Sequence, residues 1–254
     1  MANLIGTYTL FKRETQRFLK VYKQTIIAPV MSNLLFLAIF GLSVRRSVDG
    51  LGDLTYMEFL VPGLILMGIV NNAFQNPSSS LIIMRYQGLI ENLMTIPIKA
   101  SEKLIGFVAS AVLRGLLVGT VTYLTAIFFV DLAYTSIPII MATAILVALF
   151  FAFLGVIVGI WANEMDKVAA IQTFVLMPMT FLGGVFYSIQ ALPSFFGTIS
   201  KFNPIVYMIN LLRYGFTGYQ EFSILLSFGV VGTVTIVAGI ISYLMLRSGY
   251  RLQD

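Results

Sequence analysis

An all-α integral membrane protein is the fold class this sequence predicts, and three observations predict it. Only 11% of its 254 residues are charged, 58% are hydrophobic and the mean hydropathy is +0.92, whereas a soluble domain carries about 25% charged residues. Apolar runs recur along the chain at 26–44, 59–84, 104–130, 137–162, 168–188 and 222–246, and about 20 helical residues suffice to cross a hydrocarbon core. Between the last two, residues 181–218 break into glycines, prolines and aromatics without a polar loop. Six transmembrane helices are therefore expected, with short re-entrant helices between spans five and six. Irregular backbone at membrane depth needs protein or a water-filled cavity around it.

What is missing from the chain excludes whole classes of chemistry. It has no cysteine and no histidine, which removes disulfides, thiolate metal sites, imidazole bases and most proton relays. A membrane-embedded enzyme is hard to assemble from what remains. The net charge of +5 marks cytoplasmic loops in a membrane protein rather than a nucleic-acid partner.

Before the first span, residues 4–25 place Leu4, Tyr8, Phe11, Phe18 and Tyr22 apart from Lys12, Arg13, Gln16, Arg17, Lys20 and Lys23. That pattern predicts an amphipathic interfacial helix with its cations toward lipid head groups. A contact surface for a cytoplasmic partner is the competing use, and both can hold. The charges lie behind a weakly apolar start, unlike a cleavable signal, so the N-terminus is expected to be retained. Eleven Lys and Arg fall on the side of the termini and four, Arg45, Arg46, Lys201 and Arg213, on the other. This asymmetry places both termini in the cytoplasm.

Span two is the most polar, with Asn71, Asn72, Gln75, Asn76, Ser78, Ser79 and Ser80 around Pro77. A hydrophilic lane for substrate competes here with interhelical hydrogen bonding, and the structural reading is preferred. Gly115 and Gly119, then Gly155 and Gly159, are each one turn apart and allow close backbone approach. Arg114, a charge inside span three, is a functional candidate by default, although one turn from the boundary it can snorkel to water. Snorkelling is the preferred reading. Glu164 and Asp166 sit in a tight turn and are expected to pair with the basic N-terminal helix. Asp49, Asp53 and Glu58 read as ordinary loop charges. Pro178 is a candidate flex point in span five.

Between spans two and three, residues 85–99 predict a short helix over 89–95, with Leu89, Leu93 and Ile96 on its apolar side and Gln87, Glu91, Asn92 and Thr95 on other faces. Pro97 ends it. A plain interfacial loop helix is what these residues alone suggest.

One segment carries a more specific signal. Leu182-Gly183-Gly184 with Tyr187, then Leu192-Pro193, Asn203-Pro204 and Arg213-Tyr214-Gly215 resembles the closing signature of the bacterial type-2 ATP-binding-cassette (ABC) permeases, in order and spacing. Within that family the chain is similar to the YadH-like branch over essentially its whole length. The resemblance implies one permease domain over 1–254, with the 4–25 interfacial helix, a coupling segment at 85–99 and an outward re-entrant segment at 189–219. It implies that Arg85, Gln87, Glu91, Asn92 and Thr95 couple to an ATPase, with the family pattern matched at Arg85, Gly88, Glu91, Leu93 and Pro97. Asn72, Gln75, Gly183, Gly184, Tyr187 and Arg213 are the pathway or gate candidates.

No glycine is followed by lysine, so no Walker A phosphate loop exists here. ATP and Mg are then expected in a separate ATPase subunit, in two copies beneath a homodimer of this chain. The chain itself is expected to bind no metal or cofactor. A lipid- or glycan-type amphiphile or a drug, moved outward through the inner membrane, is the expected substrate. A stand-alone secondary transporter or channel is the alternative.

Overall fold

The computed structural model describes residues 4–43, 54–95, 97–132 and 134–251, without the side chains of 40–43, 92 and 94. The described residues are almost entirely helical: α1 (Leu4–Lys20), α2 (Ala28–Ser43), α3 (Tyr56–Tyr86), α4 (Ile90–Thr95), α5 (Ala100–Ala126), α6 (Ile137–Trp161), α7 (Met165–Ile171), α8 (Met177–Leu182), α9 (Ser194–Ser200), α10 (Pro204–Thr217) and α11 (Ile224–Ser248). Four of these, α3, α5, α6 and α11, are each long and apolar enough to span a bilayer. A fifth candidate is the pair formed by α1 and the helix that begins at Lys23, bent by 79°. The chain is thus an all-α integral membrane protein with four or five candidate spans among its described residues.

Helix α3 is the axis of the bundle, and its neighbours reach it through the predicted glycine pairs. A Cβ on Gly119 of α5 would come within 2.7 Å of Ile69, and one on Gly159 of α6 within 2.9 Å of Ser78 and Leu81. Without side chains at these positions the helices close on α3 from two sides, and Phe59, Phe74, Phe107 and Phe151 are fully buried between them. Packing of this kind, not hydrophobic exclusion, holds helices together in lipid. Helix α11 lies at the periphery, where Leu225, Ile236 and Ile240 stay exposed.

The expected fifth span is not a continuous α-helix. Residues Gln172–Leu176 form a π-helical turn between α7 and α8, directly before Pro178. A second π-helical turn, Lys23–Ile27, precedes Pro29 at the start of α2. Proline lacks the N–H that the carbonyl four residues earlier expects, and the widened turn absorbs the mismatch. The same Lys23–Ile27 turn splits the 4–25 amphipathic segment, so the single helix expected there stops at Lys20.

Caps fix the other ends. Thr55 and Glu58 form a reciprocal capping box at the start of α3, with Glu58 accepting from the Thr55 N–H at 2.7 Å. Glu58 is therefore a cap, not an ordinary loop charge. Asn203 caps α10 by accepting from the Ile205 N–H at 3.0 Å, with Pro204 at the first position, as the sequence predicts. Gly88 takes φ +65° after α3, which turns the chain into α4. Residues 44–53, which include the expected loop charges Arg45, Arg46, Asp49 and Asp53, lie outside the described residues.

Candidate functional site

Three constellations gather the polar residues: one at the joint between α3 and α5, one midway along α3, and one at its far end. At the joint, the buried face of α4 is Ile90 and Leu93, packed with Met84, Leu104 and, from α1, Leu10. The expectation of Leu89 and Leu93 on that face is corrected at Leu89, which is 36% exposed. The left-handed Gly88 starts α4 one residue later than the periodicity alone suggests. Ile96 and the side chain of Asn92 fall outside the described residues. Gln87, Glu91 and Thr95 are exposed beside Tyr86 and Pro97.

Arg85 turns inward instead. Its guanidinium donates to the carbonyls of Ala162 at 2.6 Å, Ile160 at 3.2 Å and Arg251 at 2.6 Å. A cation on the last carbonyls of α6 satisfies acceptors that the helix leaves open and complements its dipole. Arg251 adds a bond to the Trp161 carbonyl. Close by, Glu164 pairs with Lys167 at 3.9 Å, so the expected link from this turn to the basic N-terminal helix is replaced by a local one. Helix α1 holds its own acid. Glu14 is fully buried and accepts from Arg17 Nε at 3.1 Å.

Midway along α3, Arg17 reaches from α1 to the Asn76 carbonyl at 2.7 Å, the Asn76 side-chain oxygen at 3.0 Å and Ser79 Oγ at 3.3 Å. Asn76 in turn donates to Ser110 of α5 at 3.0 Å. Arg114 does not snorkel. It is 3% exposed and donates to Asn72 Oδ1 at 3.2 Å and Gln75 Oε1 at 3.1 Å. Asn72, Gln75, Asn76 and Ser79 thus bind helices together, as the structural reading expects, whereas Asn71 and Ser78 bond back to carbonyls of α3 itself. Asn71, Gln75 and Ser79 nevertheless form a stripe of one helical spacing that is partly or fully open on the surface.

At the far end, Arg213 of α10 is the organising group. Counted on the outward side and named as a gate candidate, it is buried, 3.8 Å from Glu221, donates to the Gly184 carbonyl at 2.8 Å and lies 3.5 Å from the centre of the Phe59 ring. Glu221 also accepts from the Ile189 N–H at 3.1 Å. Asn210 ties the turn after α10 to the start of α11 by accepting from Glu221 and Phe222 N–H and donating to Ser227. Gly184 holds φ +85°, and a Cβ on Gly183 would meet Ile205 at 2.7 Å. Tyr187 donates to the Phe181 carbonyl at 2.9 Å. Four sequence candidates, Gly183, Gly184, Tyr187 and Arg213, therefore meet in one knot, while Asn72 and Gln75 meet around Arg114.

Sequence reasoning missed Glu14, Arg17, Asn210 and Glu221 as members of these sites. The available signal was scarcity: Glu14 is the one acid of a basic helix, and Glu221 is the one acid between Asp166 and Asp254. Among the described residues no cluster of three acidic side chains could hold a metal ion.

The model for the ABC-2 type transporter membrane family matches residues 6–217. The chain belongs to the ABC-2 type permeases. The permease is 35% identical over 250 residues to the inner membrane transport permease YadH of Escherichia coli strain K12, covering 98% of both chains. It is 26% identical over 238 residues to nodulation protein J of Rhizobium leguminosarum bv. viciae, covering 89% of both, and 23% identical over 247 residues to that of Rhizobium meliloti strain 1021, covering 97% of this chain and 94% of the relative. The permease is a multi-pass inner-membrane subunit of an ABC exporter. It is not itself catalytic, and a separate ATPase partner supplies the energy. A stand-alone carrier or channel is set aside by this membership.

Proposed function

We propose that α4 and the residues around it, 85–99, are the segment through which the ATPase drives this permease. The observation that carries the reading is the two-faced build of α4. Ile90 and Leu93 are anchored in a core shared with α1, α3 and α5, while Gln87, Glu91 and Thr95 face outward at the end of a 31-residue span. A push on the exposed face then passes to α3 and α5 together, because interior packing transmits displacement rather than absorbing it. Arg85 positions the segment by clamping α3 to the end of α6, and Asn92 completes the contact set.

The remaining parts follow from the same reading. Two copies of the permease and two ATPase subunits form the transporter, both termini are cytoplasmic, and six spans arise if α2 and the broken 165–182 segment each cross the bilayer. Helix α1 lies in the membrane surface, with Leu4 and Tyr8, 76% and 61% exposed, toward lipid. The stripe at Asn71, Gln75 and Ser79 cannot face lipid comfortably, which supports a position on the shared pathway opposite the second copy. Asn72 holds the pathway arginine from behind. The 189–219 segment is re-entrant and closes the outer end, with Gly183, Gly184, Tyr187 and Arg213 as its gate. The substrate is a lipid- or glycan-type amphiphile or a drug.

The test is a pull-down in mild detergent with the tag on the N-terminal side, followed by an ATPase assay on the recovered material. Wild type is expected to bring down a soluble P-loop protein, and Glu91→Arg to lose it while eluting at the same volume in gel filtration. Normal ATPase recovery with Glu91→Arg sinks the assignment of the coupling segment.

A further inference from the structure

The arginines midway along α3 outnumber their acids. Glu14 lies against Arg17 at 3.1 Å and Arg13 at 3.9 Å, and makes no ion pair with Arg114. Arg114 reaches only two neutral amides, Asn72 and Gln75. Among the described residues no carboxylate comes within ion-pair distance of it, and its Nη1 makes no hydrogen bond. The charge that acts on it is the like charge of Arg17. Burying a guanidinium without a counter-charge costs several kcal/mol, yet Arg114 is 97% withdrawn from the surface at 3% exposure.

The same spot is reachable from outside. Gln75, which holds Arg114 from the front, is exposed, and the Arg17 side chain is 26% exposed beside it. We propose that the surface where Arg17, Gln75 and Arg114 converge is a subsite for an anionic headgroup, a phosphate or carboxylate carried on an amphiphile. This rests on the reading of Gln75 as lining the transport pathway, and it narrows the substrate class to anionic amphiphiles. A guanidinium suits a multidentate oxyanion better than a point cation does, and Arg17 adds positive charge close by. Gln75 lies eleven residues inside the Tyr86 end of α3, about 16 Å along the axis. Arg17 of the interfacial α1 bonds Asn76 beside it, so a headgroup there stays at the level of α1, which favours a ligand whose apolar tail lies in the lipid.

The test uses the full-length permease, with whatever ATPase accompanies it, in phosphatidylcholine nanodiscs and radiolabelled dodecyl phosphate as the probe. Wild type is expected to bind it saturably and at least about tenfold more tightly than dodecylphosphocholine, whose quaternary amine offsets the anion. Gln75→Glu places a carboxylate of the chain itself against Arg114. It is expected to raise the unfolding temperature without ligand and to weaken dodecyl phosphate binding by about tenfold or more. Arg114→Gln is expected to weaken binding equally, and Gln75→Glu carries the test alone if Arg114→Gln does not fold.

Competition by inorganic phosphate as effective as by unlabelled dodecyl phosphate assigns the site to a soluble anion and overturns the amphiphile. Competition by the amphiphile alone supports it. Equal affinity for dodecyl phosphate and dodecylphosphocholine, or unchanged binding in Gln75→Glu, overturns the subsite. If ATPase is recovered in the same preparation, that failure is confined to the subsite and the transport reading stands.

Discussion

Arg213 and Arg114 are both buried arginines at 3% exposure, and they teach opposite lessons about what a buried charge is for. Arg213 has a carboxylate, a carbonyl and an aromatic face around its guanidinium, beside a small cavity of about 10 Å³. Arg114 has two amides, one of them open to the surface, and a like charge nearby. The first arrangement answers charge with charge and fixes three chain segments, although Arg213 Nε and Glu221 Oε1 are buried without a hydrogen bond. The second is incomplete within the chain. The first kind ties chain segments together, whereas the second leaves a cation without a counter-charge among the described residues.

The largest expected effect comes from breaking the closed knot. Glu221→Ala leaves Arg213 buried without its carboxylate, and a loss of about 3–5 kcal/mol is expected, read as a lowered unfolding midpoint in detergent. Next is the α3–α6 contact, where a Cβ on Gly155 would strike the Phe74 carbonyl and Pro77. Gly155→Ala is expected to cost about 1–3 kcal/mol through overpacking, in the same melting assay. Arg114→Gln sharpens the comparison, because it removes two bonds to neutral amides and also relieves a buried cation. A change below about 1 kcal/mol is expected, and a loss as large as that of Glu221→Ala would make the two arginines alike. The smallest effect on stability, within about 0.5 kcal/mol, is expected for exposed Glu91→Arg, although ATPase copurification should disappear.

Fold class was legible because composition and run length report directly on the solvent a chain occupies. The glycine pairs were legible for a related reason, since a missing Cβ at one-turn spacing has few other uses in an apolar helix. The site was legible only where backbone chemistry dictates it. Asn203-Pro204 announces a helix start, and Gly183-Gly184 announces close contact. Arg213 with Glu221 and Arg17 with Asn76 were not legible, because Glu221 sits in the turn after α10 and Asn76 on a different helix from Arg17, and nothing in their spacing encodes the meeting. Arg114 was misjudged for the same reason. Its distance from a helix end says how far it is from water, but not that Asn72 and Gln75 stand in between. Leu89 was misjudged by one residue, since periodicity cannot see where a left-handed glycine restarts the helix.

The clamp formed by Arg85 has a practical consequence for anyone handling the permease. Its guanidinium holds the Arg251 carbonyl and the last carbonyls of α6 at once. The turn after α11 is therefore wired to the base of α4. An affinity handle fused directly after residue 254 would pull on that wire, and a lost ATPase could then be blamed on the wrong mutation. The free end of α1, where Leu4 and Ile5 stand in the open, is the better place to hold this protein.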